Sequence, residues 1–214
     1  MRTKYLNYLP FSGVVGTILF TTTSIISGLL KPGYKPIHHF VSELGATNSS
    51  TEFLMNYLGF IPSGFLFCLF GLSIFIMAAK NLSSKIGSLL IMVFGLGIIM
   101  AGIFSCDAGC PPNGSMESTI HDLVSVITLI SVIMGIILLG FTIKAICTFQ
   151  SISIYLTSTG FISIILLVVM VQSSESRYLT GLWQRLLLAS IFIWIIIVGP
   201  RIYKDYHKHQ NYVK

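Results

Sequence analysis

The feature that most constrains this chain is a series of long apolar runs, each near the length of about 20 residues that crosses a lipid bilayer. Of its 214 residues, 54% are hydrophobic and only 9% are charged, and the mean hydropathy is +0.85. A soluble domain carries roughly a quarter charged residues, so burial in a soluble core does not account for this balance. The sequence therefore predicts an all-α, polytopic membrane protein.

The apolar runs predict six transmembrane helices in one membrane domain that covers residues 1–214. The predicted spans are about residues 11–30, 54–79, 86–104, 121–143, 152–171 and 181–200. Pro62 predicts a break inside the second helix, because proline lacks the backbone N–H that a helix needs. Small residues let helix backbones approach closely, so the third helix should contact its neighbours through its glycines. These are Gly87, Gly95, Gly97 and Gly102.

The distribution of basic residues predicts the orientation of the helices. Six spans put both termini on one side of the membrane, and nine Lys and Arg residues fall on that side against three on the other. The nine are Arg2, Lys4, Lys80, Lys85, Lys144, Arg201, Lys204, Lys208 and Lys214, and the three are Lys31, Lys35 and Arg177. Because basic loops stay in the cytoplasm, we expect both termini to be cytoplasmic, in an inner or plasma membrane. This distribution accounts for the net charge of +6 without a nucleic-acid partner.

Polar chemistry is concentrated on the other, predicted extracytoplasmic side. Ionisable groups near the bilayer are rare unless they are paired or functional. His121, Asp122 and Ser125 lie three or four residues apart, so they share neighbouring faces of one helix. Arg185 lies about one turn inside the last span and predicts a carboxylate partner. The candidates are Glu43, Asp107 and Asp122.

Four sequence blocks resemble one known family. They are VSELGA (41–46), GIFSCDAGCPP (102–112), HDLVS (121–125) and GLWQR (181–185). Their order and spacing are similar to those of an uncharacterised six-helix membrane family, domain of unknown function 998. In that family the third helix usually ends in a Phe-Pro-x-Asp segment, whereas this chain has Ser105 in place of the proline. The resemblance implies the fold and a polar outer site, and it supplies no reaction.

Three interpretations of the polar site stay open. In the first, it catalyses hydrolysis or transfer on a membrane lipid at the outer leaflet, with His121, Asp122, Ser125, Asp107, Glu43 and Arg185 as catalytic residues. A divalent metal would be held by Glu43, Asp107 and His121. In the second, the same site binds a lipid or small ligand without chemistry. In the third, the protein is a transport or structural bundle in which Glu43–Arg185 and His121–Asp122 only satisfy one another.

Cys106 and Cys110 form a separate candidate feature. The outer side is oxidising in most cells, so a disulfide can form there. Their spacing is C-x-x-x-C rather than the C-x-x-C of redox enzymes, and no second dithiol is present to pass electrons on. A structural disulfide or two free thiols is therefore favoured over redox catalysis.

Overall fold

The computed structural model describes residues 4–143 and 147–212, so Arg2, Lys144 and Lys214 of the predicted cytoplasmic set lie outside the described residues. Six long helices follow one another along the chain. They are α1 (Ser12–Leu30), α2 (Ile61–Met77), α3 (Leu82–Ile103), α4 (Met116–Thr142), α5 (Ser153–Ser176) and α6 (Thr180–Tyr212). Short 3-10 helices cover Lys4–Phe11, Ser42–Gly45 and Cys147–Ile152, and a π-helix, Leu54–Phe60, leads into α2.

All six helices are long and apolar enough to cross a membrane, which confirms the predicted all-α, multi-pass fold. The described residues contain no strand. The irregularity expected around Pro62 is found just before it. The π-helix Leu54–Phe60 is followed directly by the regular α-helix α2, which begins at Ile61. Proline fits the first turn of a helix, where its missing N–H has no intrahelical acceptor.

Two helices begin earlier than predicted because capping side chains precede the apolar runs. At the start of α3, the Asn81 side chain accepts a hydrogen bond from the Ser84 N–H at 2.8 Å. At the start of α4, the Ser115 hydroxyl accepts one from the Ser118 N–H at 3.3 Å. Such caps satisfy N–H groups that have no partner inside the helix. The polar turns after each cap therefore belong to the helices.

The predicted end of the sixth span at Pro200 is also wrong as a helix boundary, because α6 continues to Tyr212. Proline inside a membrane helix removes one backbone hydrogen bond, and neighbouring groups can compensate for it. The segment Lys4–Phe11 packs beside this extension, with Tyr8 stacked on Tyr203 at 5.9 Å between ring centroids. The two ends of the described chain therefore meet at the same end of the bundle.

Small residues bring the helices into close contact, as the glycines of α3 predict. A methyl group added at Gly95 would lie 2.5 Å from the Cys68 nitrogen on α2. One added at Gly97 would lie 1.7 Å from the Thr128 hydroxyl oxygen on α4. Each helix packs against the next along the chain, and α6 returns to contact α1. Trp194, Phe67, Phe70 and Phe94 are fully buried in the centre of this ring of helices.

The pair α4 and α5 is in close contact at one end only. A methyl group at Gly140 would lie 2.8 Å from the Leu156 carbonyl oxygen, and one at Gly160 would lie 2.3 Å from Ile137. These contacts lie at the same end as the chain termini. Toward the other end, the facing sides of α4 and α5 line a cavity instead of touching. We call that other end the polar end; it comprises segments 31–53, 104–115 and 177–179.

Candidate functional site

Arg185 on α6 holds the loop between α1 and α2. Its guanidinium donates to the carbonyl oxygens of Pro36, of His39 at 3.1 Å and of Gly181 at 2.9 Å. It also donates to the Tyr34 hydroxyl at 2.5 Å. The prediction of a carboxylate partner for Arg185 is therefore wrong. Backbone carbonyl oxygens, which also carry partial negative charge, accept its hydrogen bonds instead. Burial raises the pKa of the Tyr34 hydroxyl, although Arg185 opposes that shift.

Glu43, which is 6% exposed, is the buried carboxylate of the polar end. Its Oε1 accepts from the Arg177 guanidinium at 3.1 Å and from the Phe40 N–H at 3.0 Å. The ring nitrogen Nδ1 of His39 lies 3.8 Å from its Oε2. Lys31 donates to the Glu43 backbone carbonyl; burial lowers the pKa of Lys31, and the Glu43 carboxylate opposes the shift. The expected Glu43–Arg185 pair is thus replaced by Glu43–Arg177.

Arg177, at the turn between α5 and α6, joins three parts of the polar end. Besides Glu43, it donates to the carbonyl oxygens of Gly109 at 2.8 Å and Cys110 at 2.6 Å. Its guanidinium also lies over the Phe40 ring at 5.0 Å from the centroid. The residue has a φ of +56°, a left-handed conformation that ends α5 and turns the chain into α6. Arg177 is therefore bonded to Glu43 and to the loop between α3 and α4.

The loop between α3 and α4 is tied to the start of α4. Asp107 accepts from the Ser115 N–H at 2.5 Å and from the Ser115 hydroxyl at 2.8 Å, and these bonds hold the pKa of Asp107 below its usual range. Glu117 accepts from the Ser105 N–H at 2.9 Å. Asp107 is thus a structural carboxylate that fixes the loop and does not line the cavity.

Cys106 and Cys110 are joined by a disulfide, with their Cα atoms 5.1 Å apart. Both are buried, and the Cys110 sulfur lies 3.5 Å from the Ser42 hydroxyl. The closed loop carries the two carbonyl oxygens that Arg177 holds. The disulfide therefore belongs to the network of the polar end.

The predicted metal site does not assemble. In the described part of the chain, no three His, Cys, Asp or Glu side chains come together in a way that could hold a metal ion. Glu43 faces Arg177, Asp107 faces Ser115, and His121 bonds to a backbone carbonyl. Each of these three side chains is directed to a partner in its own neighbourhood, so they do not share a ligand position.

A cavity of about 530 Å³ lies between α4 and α5 and reaches from the polar end into the bundle. Its deeper wall is apolar and includes Phe20, Phe60, Ile98, Leu129, Leu167 and Leu188. Its outer rim is polar and comprises Ser42, His121, Asp122, Ser125, Ser174, Glu175, Arg177 and Gln184. Val126, Ile130 and Val171 line the cavity and are exposed, so it opens between α4 and α5 on the surface that faces lipid.

His121 is the buried polar group of this cavity, with 4% of its surface exposed. Its Nδ1 lies 2.8 Å from the Phe104 carbonyl oxygen. A carbonyl oxygen only accepts, so Nδ1 carries the proton, and in the neutral form of the ring Nε2 presents a lone pair. No hydrogen bond to Nε2 is found among residues 4–143 and 147–212. The expected His121–Asp122 pair does not form a hydrogen bond or ion pair within these residues.

The structure brings together only part of the predicted site. His121, Asp122 and Ser125 line the cavity as their helical spacing predicts. Glu43 does not line the cavity, but it bonds to Arg177, which does. Asp107 and Arg185 do not line the cavity. Sequence reasoning missed Glu175 and Arg177 as site residues. The available signal was a short polar stretch, QSSESR (172–177), directly after an apolar run.

Comparison with known proteins identifies a family for this chain. The family model described as "Protein of unknown function (DUF998)" matches residues 14–200, which include all residues that line the cavity. No curated protein and no solved structure matches the chain. The matched segment covers well over half of the 214 residues, and the chain therefore belongs to the DUF998 family.

Proposed function

We propose that this protein binds an amphipathic, lipid-like molecule in the cavity between α4 and α5. The supporting observation is the form of the cavity, which has an apolar interior, a polar rim and a side opening toward lipid. Its volume of about 530 Å³ lies within the range of small-molecule pockets. The apolar chain of the ligand would lie against residues such as Leu129 and Leu167, and its polar group would lie near His121 and Asp122.

The placement of polar groups supports a ligand site over a purely structural cluster. A structural cluster satisfies its own members, as Glu43, Arg177 and Arg185 do. The rim keeps polar groups that the described residues leave unpartnered, among them His121 Nε2 and the Ser125 hydroxyl. A ligand or water at the rim would supply hydrogen bonds to these groups. With the positive-inside orientation, the ligand would enter from the extracytoplasmic leaflet.

The experiment uses a photoreactive single-chain fatty alcohol and the detergent-purified protein. We expect crosslinks on the facing sides of α4 and α5, near Leu129 and Leu167. The variant Leu129→Trp fills the cavity and should reduce labelling at least about tenfold. Leu138→Trp, on the same helix but outside the cavity, is the matched control and should label normally. Equal labelling of the two variants, or crosslinks spread over the lipid-facing surface, would overturn the proposal.

Hydrolysis or acyl transfer on the bound molecule is a second candidate function, which the tautomer of His121 favours. A neutral Nε2 can take a proton from a water or hydroxyl nucleophile, and Ser125 lies one helical turn away on the same wall. A fluorophosphonate with a long alkyl chain tests this candidate. Labelling at Ser125 that is lost in His121→Gln would support it, and absence of labelling in folded wild-type protein would count against a serine nucleophile.

A further inference from the structure

Two carboxylates at the rim of the cavity have no bonded partner in the part of the chain that the structure describes. Asp122 projects from α4 and Glu175 from the end of α5, and both line the cavity and are exposed. Across the described ranges 4–143 and 147–212, neither forms a hydrogen bond or an ion pair. The two helices on either side of the opening therefore each contribute a carboxylate that can face a ligand.

Arg177, the cation that lines the rim among the described residues, bonds to neither carboxylate. Arg177 gives one nitrogen to the Glu43 carboxylate and the other to the carbonyl oxygens of Gly109 and Cys110. Arg177 therefore forms its ion pair with Glu43 and acts on Asp122 only at longer range, so its single charge faces the three carboxylates of Glu43, Asp122 and Glu175. Arg185 does not line the cavity, because the carbonyl oxygens of the loop between α1 and α2 hold it.

The buried side of the rim also offers an acceptor. His121 is 96% buried, because only 4% of its surface is exposed, and its Nε2 presents a lone pair with no partner in the described structure. An anionic head group would meet two like charges and this lone pair, which disfavours binding. A head group that is positively charged and donates hydrogen bonds would meet three acceptors, from His121, Asp122 and Glu175.

We propose that the ligand of this cavity carries a primary ammonium group on an apolar chain, an assignment that rests on the proposed lipid-binding function. The chain occupies the apolar interior, and the ammonium group lies at the rim between Asp122 and Glu175, within reach of His121 Nε2. An ammonium group has three N–H donors, which matches the three acceptors. The group comes either from a simple long-chain amine or from an aminophospholipid.

The experiment compares competitors that share one chain and differ in the head group. Dodecylamine, dodecanol and dodecanoate are each added against the photoreactive fatty alcohol, and the concentration that halves labelling of the cavity is measured. We expect the amine to compete at a concentration at least about tenfold lower than the alcohol, and dodecanoate to be the weakest. Lysophosphatidylethanolamine with the same chain distinguishes the sources: competition equal to the amine assigns an aminophospholipid, and weaker competition assigns a simple amine.

Charge variants separate a local effect from attraction by the whole surface. Asp122→Asn with Glu175→Gln should remove the preference for the amine and leave competition by the alcohol unchanged. The matched control, Glu52→Gln, removes a charge from the polar end outside the cavity and should keep the preference.

The outcomes separate this assignment from the proposed function. Equal competition by dodecylamine, dodecanol and dodecanoate, or stronger competition by dodecanoate, overturns the assignment of an ammonium group. Either result leaves the proposed lipid binding in place. Loss of the preference in the control variant overturns it as well. If no competitor displaces the probe from the cavity, the proposed function itself fails.

Discussion

The polar end of this protein contains two kinds of polar group that look alike in the sequence and differ in the structure. In the network around Glu43, Arg177 and Arg185, charged groups are bonded to one another or to loop carbonyls. At the cavity rim, His121 Nε2, Asp122 and Glu175 have no such bonds in the described residues. The difference separates polar groups that stabilise the fold from polar groups that stay available to water or to the proposed ligand.

The largest expected effect concerns the network. Arg185→Met removes the donor to three carbonyl oxygens and to the Tyr34 hydroxyl. We expect the free energy of unfolding to fall by about 3 kcal/mol, because partly buried carbonyls lose charged donors. Unfolding in detergent, followed by circular dichroism, measures the change.

Arg201→Met is the matched control for that experiment. Arg201 is on the same helix and bonds to one carbonyl of its own helix, that of Ile197 at 3.1 Å. This control should lose less than about 1 kcal/mol. If both variants lose the same free energy of unfolding, the bonds from Arg185 to the loop do not contribute to stability beyond an ordinary arginine–carbonyl bond.

The next effect concerns the disulfide that borders both regions. The double variant Cys106→Ala, Cys110→Ala opens a short loop, which should lower stability by about 2 kcal/mol. A reducing agent should lower the thermal midpoint of the wild type and leave that of the double variant unchanged. Cys68→Ala, at the free cysteine of α2, should behave like the wild type. A wild type that is insensitive to reductant would show that the loop needs no covalent closure.

A smaller effect on the free energy of unfolding is expected when one carboxylate from each region is changed. Glu43→Gln breaks the pair with Arg177 and should lower the free energy of unfolding by about 2 kcal/mol. Asp122→Asn, at the rim, should change it by less than about 0.5 kcal/mol. Chemical denaturation of both variants under one condition measures the contrast. A large loss for Asp122→Asn would place that carboxylate in the structural network.

The smallest effect is the pH dependence that Asp107 contributes. Hydrogen bonds from Ser115 hold the pKa of Asp107 below its unfolded value, so its contribution is present above that value and lost as the pH falls through the folded pKa. The thermal midpoints of wild type and Asp107→Asn should therefore differ at about pH 6 and converge toward about pH 2. A difference that stays constant over this range would contradict the assignment.

The sequence predicted the six helices because apolar run length is a local property that the bilayer fixes. It also placed His121, Asp122 and Ser125 on one wall, because helical spacing alone decides which residues share a face. The partners of Arg185 were not predictable in this way. Apart from the Gly181 carbonyl on its own helix, they are groups of the loop between α1 and α2, and the position of that loop depends on how the whole chain folds.

Arg177 is a second residue whose partners cannot be predicted from the sequence. In the sequence it is one basic residue in a short loop, and its position there does not reveal that Glu43 and Cys110 meet it. Glu175 was missed because the α5 helix extends to Ser176, beyond the apolar run that predicted it. Contacts between residues more than a hundred positions apart, such as Glu43 and Arg177, are seen only in the packed structure. The helices themselves can be predicted from the local sequence pattern.

The contact of Gly140 and Gly160 with the opposing helices has a consequence for the transport interpretation. No residue that lines the cavity lies beyond Ile130 on α4 or before Leu167 on α5. Within the described residues, the cavity therefore ends partway along α4 and α5, and beyond it the two helices are packed together at Gly140 and Gly160. A molecule in the proposed site would meet this closed end, so in this conformation the space between α4 and α5 offers it no passage along the helices to the other end of the bundle.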